Sequence, residues 1–132
     1  MTLLTPVRVY DSRDPSGLLG GRKHEPGLAP SIPVGAYAGG GLVLGVFINL
    51  TVTETESAGY LTVVPEDGSG ERPVPLVSNL NWWTSGLTLG NACLVHVGDE
   101  NSVAVLTRGG TAGAPPRAHV IIDLQGYVPY IG

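Results

Sequence analysis

The sequence predicts an all-β fold: an antiparallel β-sandwich or jelly-roll-like barrel of about seven or eight strands. Three observations predict it. Gly (20) and Pro (11) make up almost a quarter of the 132 residues, and few stretches free of both are long enough for a helix bundle. Apolar and polar residues alternate in steps of two through several segments rich in Val, Ile and Thr, and no segment shows 3.6-residue spacing. Turn-forming residues separate those segments at short intervals. The composition also excludes other classes. At 14% charged and 42% hydrophobic the chain is too apolar for disorder, and the Gly period of collagen is absent. Residues 1–132 are expected to form one domain.

In chain order, Val7 and Val9 alternate with Arg8 and Tyr10 in a first strand, which Asp11-Ser12-Arg13-Asp14-Pro15 ends as a turn. Residues 14–41 hold eight Gly and four Pro together with Arg22, Lys23, His24 and Glu25. They read as a loop-rich arm with one short strand near Ile32 to Ala36. Val43 to Glu54 is the clearest strand, with Val46, Ile48, Leu50 and Val52 on one face and Phe47, Asn49, Thr51 and Thr53 on the other. Ser57-Ala58-Gly59 turns into Tyr60 to Val64, and these two strands are expected to pair as a hairpin. Pro65 to Pro75 is a polar loop, and Leu76 to Trp83 is short and partly extended. Leu87 to Val97 and Ser102 to Thr107 are expected to form a second hairpin across Gly98-Asp99-Glu100-Asn101. After a Gly/Pro loop from Arg108 to Arg117, Ala118 to Leu124 is a near-continuous apolar strand that Gln125-Gly126-Tyr127 ends.

The net charge is −4, Lys23 is the single lysine, and the six arginines are scattered. A nucleic-acid surface needs clustered cations to displace counterions, so none is expected. The longest apolar run, Leu42 to Leu50, is interrupted by Gly45 and Asn49 and is too short for a membrane helix, so no membrane insertion is expected. Met1 to Pro6 has neither a basic n-region nor an apolar h-region, and no signal peptide is expected.

Asp11, Arg13 and Asp123 are charges beside apolar strands. A carboxylate there is costly unless paired, and Arg offers a planar fork for it. These three are expected to form a structural network joining the first and last strands, with Asn79 or Asn81 adding hydrogen bonds; the alternative is solvated turn residues. Trp82 and Trp83 are adjacent, so in an extended segment they point to opposite faces. Trp83 is expected outside, where with Tyr37 and Tyr60 it is a candidate binding aromatic for a sugar or a protein contact. Cys93 has apolar neighbours and reads as a buried, inert thiol. His24, His96 and His119 are too dispersed for a metal motif, and Cys93 and His96 fall on opposite strand faces. His119 and Asp123 share a face, but no Gly-x-Ser-x-Gly elbow accompanies them, and polar residues on a strand face are the better reading. The Gly39-Gly40-Gly41 run opens a β-patterned segment and not a helix, which excludes a dinucleotide loop. No metal, cofactor or catalytic residue is expected.

Six fragments in order carry a resemblance. They are residues 6–13 (Pro-Val-Arg-Val-Tyr-Asp-Ser-Arg), 49–53 (Asn-Leu-Thr-Val-Thr), 59–63 (Gly-Tyr-Leu-Thr-Val), 78–82 (Ser-Asn-Leu-Asn-Trp), 90–92 (Gly-Asn-Ala) and 123–127 (Asp-Leu-Gln-Gly-Tyr). Together they resemble the β-rich modules of actinobacterial secreted proteins, similar to modules in virion proteins of the phages that infect those bacteria. The family pattern has an aromatic at Trp82, which places that residue in the core. The resemblance implies no catalysis and a structural or surface-binding role. This chain departs from it in reading as a single module for which no secretion signal is expected, which tilts the expectation toward a phage virion protein, assembled in the host cytoplasm, that decorates the capsid or forms part of the tail. The expected partners are other virion proteins and further copies of the chain, a trimer being favoured, with the 14–41 arm as the docking or intersubunit element. The alternative is a module on the bacterial cell surface that binds a cell-wall glycan or receptor.

Overall fold

The alternation builds eight strands in a computed structural model that describes residues 1–35, 41–68 and 78–130. They are β1 (Thr2–Asp11), β2 (Ser31–Pro33), β3 (Val43–Glu56), β4 (Gly59–Pro65), β5 (Leu80–Trp82), β6 (Leu89–His96), β7 (Ser102–Arg108) and β8 (Arg117–Pro129). Two four-stranded antiparallel sheets result, in the orders β1-β8-β3-β6 and β2-β7-β4-β5. One core lies between them. Val46, Ile48, Leu50 and Val52 of β3 and Val120, Ile122 and Leu124 of β8 meet Leu61 and Val63 of β4, Val103 and Val105 of β7, and Ile32 and Trp82. The period-2 pattern thus decides which face of each strand is dry, and each fully buried aliphatic chain contributes roughly 1.5–3 kcal/mol.

Both expected hairpins are corners between the sheets. β3 and β4 do not pair; β3 lies between β8 and β6, and β4 between β7 and β5. Glu54 and Ser57 have left-handed φ values of 53° and 61°, and the β3–β8 register shifts between Thr53 and Glu56. These irregularities swing the chain across the core, so the apolar faces of the two strands oppose each other instead of lying side by side. β6 and β7 behave alike: a 3-10 turn at Asp99–Asn101, with Glu100 and Asn101 at positive φ, carries the chain from one sheet to the other. β8 is longer than expected. Gln125 has no counterpart in β3, where Phe47 faces Gly126 and Ile48 faces Leu124, so the ladder absorbs one extra residue and runs on to Pro129. A second irregularity, between Arg8 and Tyr10 of β1, turns Tyr10 into the core while Arg8 stays outside.

The described part of the 14–41 arm is a strap on its own sheet. The chain leaves β8 at Ser12, whose amide donates to the Val120 carbonyl at 3.0 Å. It returns at His24, which exchanges backbone bonds with Ala118 (2.8 and 3.1 Å). Leu19 and His24 are buried. Lys23 and Glu25, on either side of His24, pair with Glu56 (2.9 Å) and Arg117 (2.7 Å).

Candidate docking interface

The outer face of the first sheet divides into an apolar and a polar half. Strand register sets the rows. Leu3, Gly126, Phe47 and Leu94 form one row across β1, β8, β3 and β6, and Val128, Gly45 and His96 form the next. Leu3, Leu44 and Leu94 are 71%, 48% and 60% exposed. Leu44, Gly45, Leu94, Val95, His96 and Val128 line a shallow hollow of about 280 Å³. Gly126 keeps this half flat: a Cβ there would stand 2.8 Å from the Thr2 carbonyl oxygen of the adjoining strand. The outer face of the second sheet differs, because Thr62, Ala104 and Leu106 are buried there.

The polar half holds the network, rearranged from its expected form. Arg13 closes a local fork on Asp11, with Nε–Oδ1 at 2.9 Å, Nη2–Oδ2 at 2.7 Å and the Arg13 amide donating to Oδ1 at 3.0 Å. This fork holds the Asp11 carboxyl below its ordinary range. The tie to the last strand is made by Arg8, directly opposite Asp123 in register, with Nε–Oδ1 at 3.1 Å. Arg8 also stands 3.9 Å from Asp11. The network therefore joins β1 and β8 through Arg8, a residue that sequence reasoning passed over because only the strand register identifies its partner. Asn79 is not in it. Asn79 precedes β5 in the opposite sheet, where its Oδ1 accepts the Val63 amide at 2.7 Å and its own amide donates to Leu61. Asn81 donates to Ser78.

At the strap end of this face, His119 meets Ser12 and not Asp123. Ser12 Oγ accepts the Val120 amide at 2.8 Å and lies 3.0 Å from His119 Nδ1, while His119 Nε2 is 4.0 Å from Glu54. The set has the residue types of a hydrolytic triad, but its serine is 3% exposed and its oxygen completes the β8 ladder. It works as a structural bolt. Burial, with the cations Lys23 and Arg13 nearby, pushes the His119 pKa down against the opposing pull of Glu54 and Asp11. Behind it, Tyr10 Oη and His24 Nε2 lie 2.7 Å apart in the core. Burial, assisted by His119, lowers the His24 pKa to about 4, and burial raises that of Tyr10 to about 12. His24 is neutral at pH 7.

Of the aromatic candidates, Tyr60 lies on the second sheet and Trp83 just beyond its strand β5. Trp82 is 2% exposed and Trp83 68% exposed, as the alternation requires. Tyr60 is half-buried on β4, between Asn81 of β5 and Arg108 of β7. Tyr37 lies outside the described residues. Cys93 faces inward from β6, half-buried, and burial raises its thiol pKa. Among the described residues no group of three or more His, Cys, Asp or Glu side chains is placed to hold a metal ion. Neither is any helix among them long and apolar enough to cross a membrane. Compared with protein-family models, curated proteins and solved structures, the chain finds no match.

Proposed function

We propose that this chain is a non-enzymatic structural protein of a phage virion, a capsid decoration or minor tail component that works by protein–protein docking. One observation carries the docking reading: a sheet face that leaves Leu44 and Leu94 exposed at an apolar hollow, with Leu3 exposed farther along the same row as Leu94. Contiguous apolar surface of this kind is characteristic of interaction sites, because water excluded from it on contact drives association. The virion setting rests on the resemblance of the six fragments. The partners are further copies of the chain and other virion proteins, and the location is the assembled particle. Quantitative mass spectrometry of purified virions tests the reading. A stoichiometric copy number supports it, and absence from the particles refutes it.

A second reading has its own observation. Trp83 is 68% exposed just beyond β5, on the sheet that carries Tyr60, and an exposed indole is a stacking surface for a cell-wall sugar. Retention on purified cell walls that Trp83→Ala abolishes would support this reading, and retention unaffected by the substitution would remove it.

A further inference from the structure

A sandwich of two open sheets has four edge strands, and each edge presents unpaired backbone donors and acceptors. Three of the four are blunted here. β2 and β5 are three residues long, and β2 ends in Pro33. β1 contains Pro6 and Arg8 and is irregular between Leu3 and Val7 and between Arg8 and Tyr10. β6 has none of these protections. It pairs with β3 over eight consecutive positions without a shift, and no charged residue or proline occurs from Leu87 to Val97. Among the described residues, no strand pairs with its outer side.

The phase of the β3–β6 ladder shows which groups are open. The Val97 amide donates to the Leu44 carbonyl, so Val95, Cys93, Asn91 and Leu89 turn their backbone groups toward β3. Gly90, Ala92, Leu94 and His96 therefore turn theirs outward, and all four residues are exposed.

We propose that β6 is the self-association edge of this chain: two copies pair their β6 strands antiparallel about a two-fold axis at Cys93, joining two four-stranded sheets into one of eight strands. A second copy is the occupant for three reasons. Among the described residues the other edges of an identical molecule are blunted and the long open edge is β6 itself, and identical edges meet about a two-fold. The uncharged strand brings no like charges together, although the chain is net negative. In the register centred on Cys93 every outward-facing residue gains a hydrogen-bonding partner. That register sets Leu94 against the small Ala92 of the other copy, and His96 against its Gly90. The two Cys93 residues then face each other at a non-hydrogen-bonded position, where Cα atoms are about 4.5 Å apart, within disulfide reach.

This goes beyond the docking reading: the pairing covers the β6 edge with Leu94 and leaves the outer face around Leu3 and Leu44 open, and its test needs only the purified chain. Sedimentation across a concentration series is expected to give a reversible dimer. Diamide, as the oxidant of the two thiols, is expected to trap a Cys93–Cys93 disulfide of twice the chain mass, reversed by dithiothreitol and absent in Cys93→Ser. Ala92→Pro removes an outward amide while sparing the ladder to β3, and Leu94→Lys sets charges against the two-fold. Each is expected to sediment as a monomer with an unchanged folded spectrum. If Ala92→Pro fails to fold, Leu94→Lys decides alone. A wild-type monomer at several hundred micromolar, a trimer, or a dimer that survives the substitutions would overturn the pairing. Any of these results would leave the copy number in virions to its own assay.

Discussion

Acidification from pH 7 to pH 4.5 should destabilise this protein before most of its carboxylates titrate, and His24 is the reason. Its ring is fully buried, with Nε2 on the Tyr10 hydroxyl and Nδ1 facing no hydrogen-bond partner among the described residues. Burial lowers its pKa from 6.5 to about 4. Between those values the unfolded chain binds a proton that the folded chain refuses, so stability is fully present above pH 6.5 and is lost as the pH falls toward 4. At about 1.4 kcal/mol per pKa unit the whole loss is about 3 kcal/mol, of which about 2 kcal/mol has gone by pH 5. The loss from His119 has the same sign. Asp11, Asp14 and Glu56 have lowered pKa values, so the stability they contribute is intact above the ordinary carboxylate range and is lost only as the pH falls through that range. Urea unfolding at half-unit pH steps measures the slope. His24→Gln is expected to be less stable at pH 7 but to lose most of the pH dependence between 6.5 and 4. An unchanged slope in His24→Gln, or a His24 ring proton titrating near 6.5 in the folded protein, would refute the account.

Ser12→Ala leaves the Val120 amide without its 2.8 Å acceptor and should cost about 1–3 kcal/mol, with faster hydrogen exchange at Val120. Trp82→Ala opens the core and should cost about 3–5 kcal/mol, whereas Trp83→Ala should stay within about 0.5 kcal/mol; fluorescence quenching by acrylamide should fall mainly on Trp83. Arg8→Ala breaks the tie to Asp123, but the guanidinium is half-exposed, so the expected cost is under 1 kcal/mol, about half of it recovered in Arg8→Lys by thermal denaturation.

What could be read from the sequence was whatever a single strand states about itself. The inward set Val46, Ile48, Leu50 and Val52 and the opposed tryptophans follow from period-2 alternation, which burial enforces strand by strand. Pairing partners do not follow from it. Ser57-Ala58 and residues 98–101 have the composition of hairpin turns, and a corner between sheets uses the same residues. Only the packing of β3 against β4 across the core separates the two. Arg8 was missed for a related reason, since its partner is 115 residues away and only the register brings them together. His24 was hidden by its neighbours. Arg22-Lys23-His24-Glu25 looks like a solvated charge run, yet Lys23 and Glu25 reach outward to Glu56 and Arg117 while the ring between them turns in.

The strap also moves the search for a partner. A Gly/Pro-rich segment of this length is poorly ordered unless something holds it, and that premise assigned residues 14–41 a partner outside the chain. Through residue 35 the partner is the chain itself: Ala118 takes its backbone, Glu56 and Arg117 its charges, and the core its His24 and Leu19. The same premise, that unsatisfied groups need partners, applies with more force to β6. Its outward amides and carbonyls face no strand among the described residues, and Leu94 stands 60% exposed beside them. Water can satisfy those backbone groups but gains nothing from the leucine. An edge that combines open hydrogen-bonding groups with exposed apolar surface therefore gains on both counts from being covered.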